Sequence, residues 1–318
     1  MTIAAHLGEV ILPPVTPFDG SGAVDFAALD RLLAWLLDRG MCDSLFVGGT
    51  TGEFHALSLD ERVAIFERVK AFAGGRVPLI AGTGAATTRD AVFLTREAER
   101  LGYDAAAVIL PYYSRPTQDE IYYHFVAVAR ATALPVVLYN IPLFTGVNLM
   151  PETLARLAEL PNVVGVKDQA GANPVQASDY LRVAPHLAVY CGDDAMILQV
   201  LAQGGVGCVS GGAHVLGRLI KEMVRKFKAG DVDGATAIHH RLMPFHRALT
   251  PGGRANPIPL TRMAVTLVTG IDVGPPRPPL MLPEEAEVAR LRGVLEELSR
   301  PTPADRRLPL RSSPGAAG

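Results

Sequence analysis

Lysine is scarce in this 318-residue chain: its 30 lysines and arginines include only Lys70, Lys167, Lys221, Lys226 and Lys228. There are three cysteines, Cys42, Cys191 and Cys208, and one tryptophan. An odd cysteine count with no CxxC pair argues against a disulfide framework or a cysteine-rich zinc site and leaves reduced, buried thiols. The histidines offer no HExxH, and His239-His240 with His246 is a poor ligand spacing, so no metal is expected. No apolar run reaches membrane-spanning length, and the N-terminus lacks a basic segment leading into a long apolar one, so a cytoplasmic protein is expected. A net charge of −2 with no basic block outside the C-terminal tail argues against nucleic acid as a partner. Hydrophobic residues are plentiful, 49% against 19% charged, which is enough for a large globular core.

Short β-rich runs alternate with helical stretches through the first two thirds of the chain. The expected strands are Val10–Pro14, Ser44–Val47, Val77–Ala81, Ala105–Leu110, Val136–Tyr139, Val163–Lys167, Ala188–Cys191 and Val206–Ser210. The helices between them have readable ends. Asp25–Arg39 stops at Gly40, Ser58-Leu-Asp-Glu61 and Thr117-Gln-Asp-Glu120 are capping boxes, and Asn173-Pro174 reads as an N-cap with proline at the first helical position. Eight such units predict an α/β fold with a parallel sheet closed into a (β/α)8 TIM barrel. An open doubly wound sheet usually shows G-x-G-x-x-G after its first strand, and Thr16-Pro17-Phe18-Asp19-Gly20 is no such element. After Ser210 the pattern is helical only: Leu216–Ala229, Val232–Leu249, Asn256–Val268 and Pro283–Ser299. The expected organisation is a barrel over 1–229, a C-terminal helical appendage over 230–299 and a disordered tail over 300–318, where proline, glycine and arginine dominate.

Lys167 differs from the other four lysines, which lie in charged helical stretches. It closes the apolar run Val163-Val164-Gly165-Val166, a buried strand, where an ammonium is costly unless paired or used. Lysine amines respond to burial by losing the proton, which frees them to attack carbonyls. A strand-end ion pair is the bland alternative. In these barrels, however, chemistry sits at the C-terminal strand ends. There the chain places Gly49-Thr50-Thr51-Gly52-Glu53, Pro111-Tyr112-Tyr113, Tyr139-Asn140, Lys167 and Ser210 around one mouth.

These motifs resemble those of the dihydrodipicolinate synthase / N-acetylneuraminate lyase superfamily of Schiff-base pyruvate enzymes. The match takes in Thr16-Pro17-Phe18, Gly49 to Glu53, Pro111-Tyr112-Tyr113 with Arg115-Pro116, and Tyr139-Asn140-Ile141-Pro142 with Thr145-Gly146. It continues through Gly165-Val166-Lys167, Gly192-Asp193-Asp194 and Asn256-Pro257-Ile258-Pro259, in family order over most of the chain. The resemblance implies that Lys167 forms an imine with the 2-oxo carbon of pyruvate and that Tyr139 is the acid–base group. It implies that Thr50 relays protons between Tyr139 and a Tyr113 reaching in from an adjacent subunit. Thr51 would hold the pyruvate carboxylate, Val209 would touch pyruvate through its backbone, and Gly192 and Asp193 would lie on the substrate side. It further implies a homotetramer built as a dimer of dimers, with no cofactor and no metal.

Two departures shape the expected activity. The synthase proper carries arginine two residues after the proline of Tyr-Asn-x-Pro, to bind the carboxylate of aspartate semialdehyde, and Phe144 stands there instead. An aromatic ring cannot make that bidentate contact. At the lysine-effector positions of feedback-inhibited synthases the chain has Leu59, Arg62, Ala86 and Asp90, with only Tyr112 and Asp90 in character, so lysine feedback is not expected. The expected activity is therefore an aldolase or dehydratase acting on a 2-oxo-3-deoxy acid, with a synthase using aspartate semialdehyde as the alternative. A pyridoxal-phosphate barrel is disfavoured because the motifs belong to a cofactor-free family. A non-catalytic 2-oxo acid sensor is disfavoured because Lys167, Tyr139, Thr50 and Tyr113 are all kept. Ser210-Gly211-Gly212-Ala213-His214 reads either as a close packing turn or as a loop whose Gly211 and Gly212 hold the polar or anionic tail of the substrate.

Overall fold

In the computed structural model, which describes residues 2–169, 171 and 173–300, eight parallel strands close into a barrel. They are β1 (Val10–Leu12), β2 (Ser44–Val47), β3 (Leu79–Gly82), β4 (Ala105–Ile109), β5 (Val136–Asn140), β6 (Val163–Asp168), β7 (Ala188–Cys191) and β8 (Gly207–Val209). Each strand pairs with the next, and β8 returns to β1. The barrel helices are α1 (Ile3–Leu7), α2 (Phe26–Asp38), α3 (Leu59–Ala73), α4 (Thr88–Arg100), α5 (Gln118–Arg130), α6 (Pro142–Thr145), α7 (Pro151–Leu157), α8 (Gln176–Val183), α9 (Ile197–Ala202) and α10 (Ala213–Lys228). Then come α11 (Val232–Ala248), α12 (Ile258–Thr269) and α13 (Glu285–Ser299).

All eight expected strands are present, with ends differing by two residues or fewer. The caps also form: Asp25 accepts from Ala28 N–H, and both capping boxes close reciprocally. α8 begins at Gln176, two residues beyond Pro174, because Asn173 and Pro174 are spent on a turn in which Asn173 O accepts Gln176 N–H. The sequence reading did not anticipate α1, which lies at the N-terminal end of the barrel. Leu7 from α1 packs with the interior residues, and Tyr190 Oη donates to Gly8 O. The expected tail over 300–318 lies, beyond Arg300, outside the described residues.

Strand alternation sorts side chains into two layers. Ala105, Ala107, Ile109, Val137, Tyr139, Tyr190 and Val209 fill the barrel interior, while Val108, Leu138, Val166 and Val189 pack outward under the helices. One irregularity sets the phase of β6. Val136 faces Val163 but Val137 faces Gly165, so Val164 is an extra residue, and from there Tyr139 faces Lys167 across the ladder. A one-residue slip exchanges the two faces of a strand. This bulge therefore decides that Lys167 points into the barrel.

The appendage is bolted to the loop after β2. Glu53, fully buried and in left-handed conformation at φ 56°, pairs with Arg262 of α12 at 2.9 Å. Arg262 also donates to Thr16 O at 2.7 Å and to the carbonyls of Val273 and Gly274, and Glu53 Oε2 accepts Arg277 N–H at 2.9 Å. Burial pushes the Glu53 carboxyl up and the Arg262 guanidinium down, each held charged by the other and by these bonds. Removing one partner of such a pair strands the other charge. Arg262→Met should therefore lower unfolding stability by about 3–5 kcal/mol. Urea denaturation checks this, and adding Glu53→Gln to the same chain should recover part of the loss. A single variant as stable as the parent would show the pair to be idle.

Candidate active site

The C-terminal strand ends open into a cleft of about 490 Å³. Lys167, Tyr139, Thr50, Thr51, Val209, Phe144, Gly192, Asp193 and Gly211 all line it, although they come from five strand ends and α6. Lys167 is 6% exposed. Its Nζ stands 3.9 Å from the Tyr139 ring centroid and 5.6 Å from that of Phe46, and it makes no hydrogen bond or ion pair among the described residues. The strand-end ion pair is thus absent. The amine faces aromatic rings and open cleft, a setting in which imine formation meets no competing carboxylate.

Tyr139 Oη and Thr50 Oγ1 share a 3.0 Å hydrogen bond. The turn that presents Thr50 is held from beneath. Glu53 N–H donates to Thr50 O at 2.9 Å, and Thr16 Oγ1 donates to Gly52 O at 2.7 Å. Gly48 turns the chain at φ 74°, where a side chain would press on Phe66. Tyr113 does not join the pair. It is 95% exposed, sits at φ 73° and has no side-chain partner among the described residues.

Gly192 has a steric reason to be glycine: a Cβ there would stand 2.8 Å from Lys167 Cε and 3.1 Å from Asp168 O. Next to it, Asp193 accepts from Ala195 N–H at 3.0 Å and from Gln169 Nε2 at 3.2 Å, and burial pushes its carboxyl up. Behind β6, Asp168 Oδ1 accepts from Asn140 and Gln176, both at 2.8 Å, in a buried amide network that anchors the strand carrying the lysine.

The Ser210–His214 turn serves two purposes. A Cβ at Gly211 would meet only Thr51 Oγ1, at 3.9 Å, whereas Gly212 N–H is taken by Asp194 Oδ2 at 2.7 Å, so the helix-end amide expected to meet substrate is already satisfied by a carboxylate. His214 clamps the turn. Val15 N–H can only donate, so Nε2 accepts it at 3.0 Å, and Gly211 O can only accept, so Nδ1–H donates to it at 2.8 Å. Only the neutral ring fits both bonds, and burial lowers its pKa to about 4.

Sequence reading missed the contribution of α11. Met243, His246 and Arg247, followed by Thr250 and Arg254, form one wall of the cleft. The signal was faint: a polar pair in the last turn of an appendage helix. His246 was weighed only as a metal ligand, and among the described residues no group of three or more potential ligands could hold an ion. No described helix is long and apolar enough to cross a membrane.

A buried strand-end lysine, unpaired and ringed by aromatics, with a tyrosine–threonine pair beside it, defines a barrel of the class I aldolase type. The model of the Dihydrodipicolinate synthetase family matches residues 6–298, and the chain belongs to that family. It is 43% identical over 296 residues to a 4-hydroxy-tetrahydrodipicolinate synthase of Desulforudis audaxviator, covering 93% of this chain and 99% of the relative. Among solved structures it is similar to a synthase from Cyanidioschyzon merolae with lysine bound. That similarity has a TM-score of 0.87 and 38% identity, and covers 92% of this chain and 98% of the other. It is also similar to the chloride-inhibited synthase from Acinetobacter baumannii complexed with pyruvate, with a TM-score of 0.84, 34% identity and coverage of 92% and 99%. The protein is thus a pyruvate-dependent lyase or synthase that works through a lysine imine.

Two outcomes follow from this geometry. Gly192→Ala should cut borohydride trapping of pyruvate on Lys167 at least tenfold with little change in thermal stability, by displacing Cε. Mass spectrometry of the Lys167 peptide checks this, and undiminished trapping would refute the steric account. The His214 pKa is depressed, so its contribution is present above the unfolded value of about 6.5 and lost as pH falls toward about 4. Denaturation midpoints between pH 7 and pH 4 should fall less steeply in His214→Gln than in the parent chain.

Proposed function

We propose that this enzyme is an aldolase or dehydratase acting on a 2-oxo-3-deoxy acid. Lys167 Nζ attacks the 2-oxo carbon, and water leaves as the imine forms. The protonated imine takes up the electron pair of the bond that breaks at the adjacent carbon, leaving an enamine, and in the forming direction the enamine donates that pair to the new bond and the imine returns. Tyr139 is the acid–base group at that carbon. A phenol is a poor base in neutral water, so its proton needs a path, and Thr50 at 3.0 Å supplies the first step. Thr51 holds the carboxylate of the pyruvoyl head, Val209 packs against it through the backbone, and Gly192 leaves room for the lysine. The fully out-turned Tyr113 supports a homo-oligomer, a tetramer built as a dimer of dimers, in which this phenol completes the relay of the neighbouring subunit. Three buried, unpaired thiols suit the cytoplasm.

The observation that carries the choice of substrate is Phe144. Its ring lines the cleft on α6, where a synthase arginine would clamp the carboxylate of aspartate semialdehyde. Losing a charge-assisted contact costs about 1.5–3 kcal/mol, on the order of a ten- to hundredfold loss in affinity. Asp193 and Asp194 on the same cleft suit substrate hydroxyls. The second reading, a 4-hydroxy-tetrahydrodipicolinate synthase, is favoured by the name of the 43% identical relative. Lysine regulation is not part of either reading. Arg62, at one of the effector positions, is buried and donates from one nitrogen to Gly82 O at 2.6 Å and to Gly84 O at 3.0 Å.

Coupled assays should give a kcat/KM for some 2-oxo-3-deoxy acid at least tenfold above that for pyruvate with aspartate semialdehyde, and Phe144→Arg should raise the latter. If aspartate semialdehyde proved the best acceptor for the unaltered enzyme, the synthase reading would replace this one.

A further inference from the structure

The α11 wall carries polar groups that the lysine chemistry does not use. Contacts lead outward from the amine. Gly192 lies against Lys167, Asp193 and Asp194 follow it in sequence, Asp194 accepts Gly212 N–H, and the His246 ring packs on Gly212. His246 Nδ1 stands 3.9 Å from Asp194 Oδ2, beyond hydrogen-bond range. Both His246 Nδ1 and Asp194 Oδ1 are buried with no hydrogen-bond partner among the described residues, and the His246 side chain is only 7% exposed. An orphaned buried polar atom costs about 1–3 kcal/mol. Two on residues lining one cleft mark a place where a ligand supplies the missing bonds.

Arg247, the next residue, lines the same cleft and is exposed. It makes no hydrogen bond or ion pair among the described residues. The other arginine of this wall, Arg254, is gripped by Glu287 through contacts of 2.8, 3.0 and 3.2 Å, which leaves it little to offer. Among the described residues of the cleft, Arg247 is therefore the one guanidinium free to take an anion.

We propose that the last turn of α11 is the receptor for the far end of the substrate. In this arrangement Arg247 binds a terminal carboxylate, and His246 with Asp194 binds a hydroxyl inboard of it. The proposal rests on the lyase reading above and narrows its substrate to a 2-oxo-3-deoxy dicarboxylic acid with at least one hydroxyl between the two ends. The charges impose this order. Asp193 and Asp194 repel an anion at their own level, so a hydroxyl belongs there, donating to Asp194 Oδ1 and accepting from His246 Nδ1–H. A carboxylate belongs one step further out, where a guanidinium can hold it by two parallel bonds. Arg247 thus performs from α11 the task that Phe144 cannot perform from α6.

The test compares the parent enzyme with Arg247→Met and Arg247→Lys. The substrates are a hydroxylated 2-oxo-3-deoxy dicarboxylic acid and its analogue ending in an alcohol. Borohydride trapping of pyruvate on Lys167 reports the head of the site separately. Arg247→Met should raise KM for the dicarboxylic acid about 10- to 100-fold and leave KM for the alcohol-ended analogue and pyruvate trapping within about twofold. Arg247→Lys should fall between the parent and Arg247→Met. An unchanged KM for the dicarboxylic acid, or an equal rise for both substrates, would overturn the receptor. If the parent enzyme turns over only aspartate semialdehyde, the lyase reading fails separately. That aldehyde also ends in a carboxylate, so its KM then decides the receptor: a tenfold rise in Arg247→Met keeps Arg247 as the carboxylate site, and no rise removes it.

Discussion

The Glu53–Arg262 pair ties the threonine turn of this active site to the C-terminal helix α12. A buried ion pair is a weak stabiliser compared with apolar residues of the same volume, so its importance here is positional. Glu53 sits one residue after the turn that carries Thr50 and Thr51, and its carboxylate reaches α12 and Arg277. The same guanidinium bonds the carbonyl of Thr16, whose hydroxyl holds Gly52. Phe18 lies under both arginines, 5.0 Å from Arg262 and 4.5 Å from Arg277. One charge cluster therefore holds the loops after β1 and β2 and the C-terminal helices in a single register.

Within that frame the chemistry depends on what the barrel interior withholds. Lys167 has aromatic rings and a glycine for neighbours and no carboxylate, so nothing inside the protein competes with substrate for the amine. The acidic groups are nearby but engaged elsewhere. Asp168 points the other way along the strand into an amide network, and Asp193 and Asp194 are held by Gln169, Ala195 and Gly212. Strand alternation achieves this separation, since adjacent residues on β6 must face opposite sides. Lys167 and Asp168 are neighbours in sequence and are separated by the wall of the barrel.

Much of this was legible in the sequence because local signals and the fold agree. The alternation of β-rich and helical runs, the two capping boxes and the polar residues at strand ends each act over a few residues, and all eight strands and one rim followed from them. The Val164 bulge was not legible. Nothing in Val163-Val164-Gly165-Val166 says which valine is the extra one, and the inward direction of Lys167 depends on it. The Asn173-Pro174 signal was read as an N-cap with proline at the first helical position, whereas the helix begins at Gln176 after Val175, because a proline after asparagine serves a turn as readily as a first helical position. The α11 wall was also hidden. His246 and Arg247 come from a helix whose place over the barrel mouth is set by its packing on α10 and α13, and their own surroundings in the sequence describe only the end of an amphipathic helix.

This division of labour bears on how such an enzyme acquires its substrate. The groups we assign to the 2-oxo head come from the ends of β2, β5, β6 and β8, strands locked by ladder hydrogen bonds and interior packing, where a change disturbs the barrel itself. The groups we assign to the rest of the substrate come from α6, a single helical turn, from the Asp194–Gly212 contact, and from the exposed end of α11. Side chains at those places have space around them: Phe144 is exposed and Arg247 reaches solvent. Substitutions there change what is bound at the far end with little consequence for the imine-forming machinery. Close kinship to enzymes that share the head chemistry therefore constrains the first half of the reaction tightly and the second half only loosely. Phe144 and Arg247 stand in the loosely constrained half.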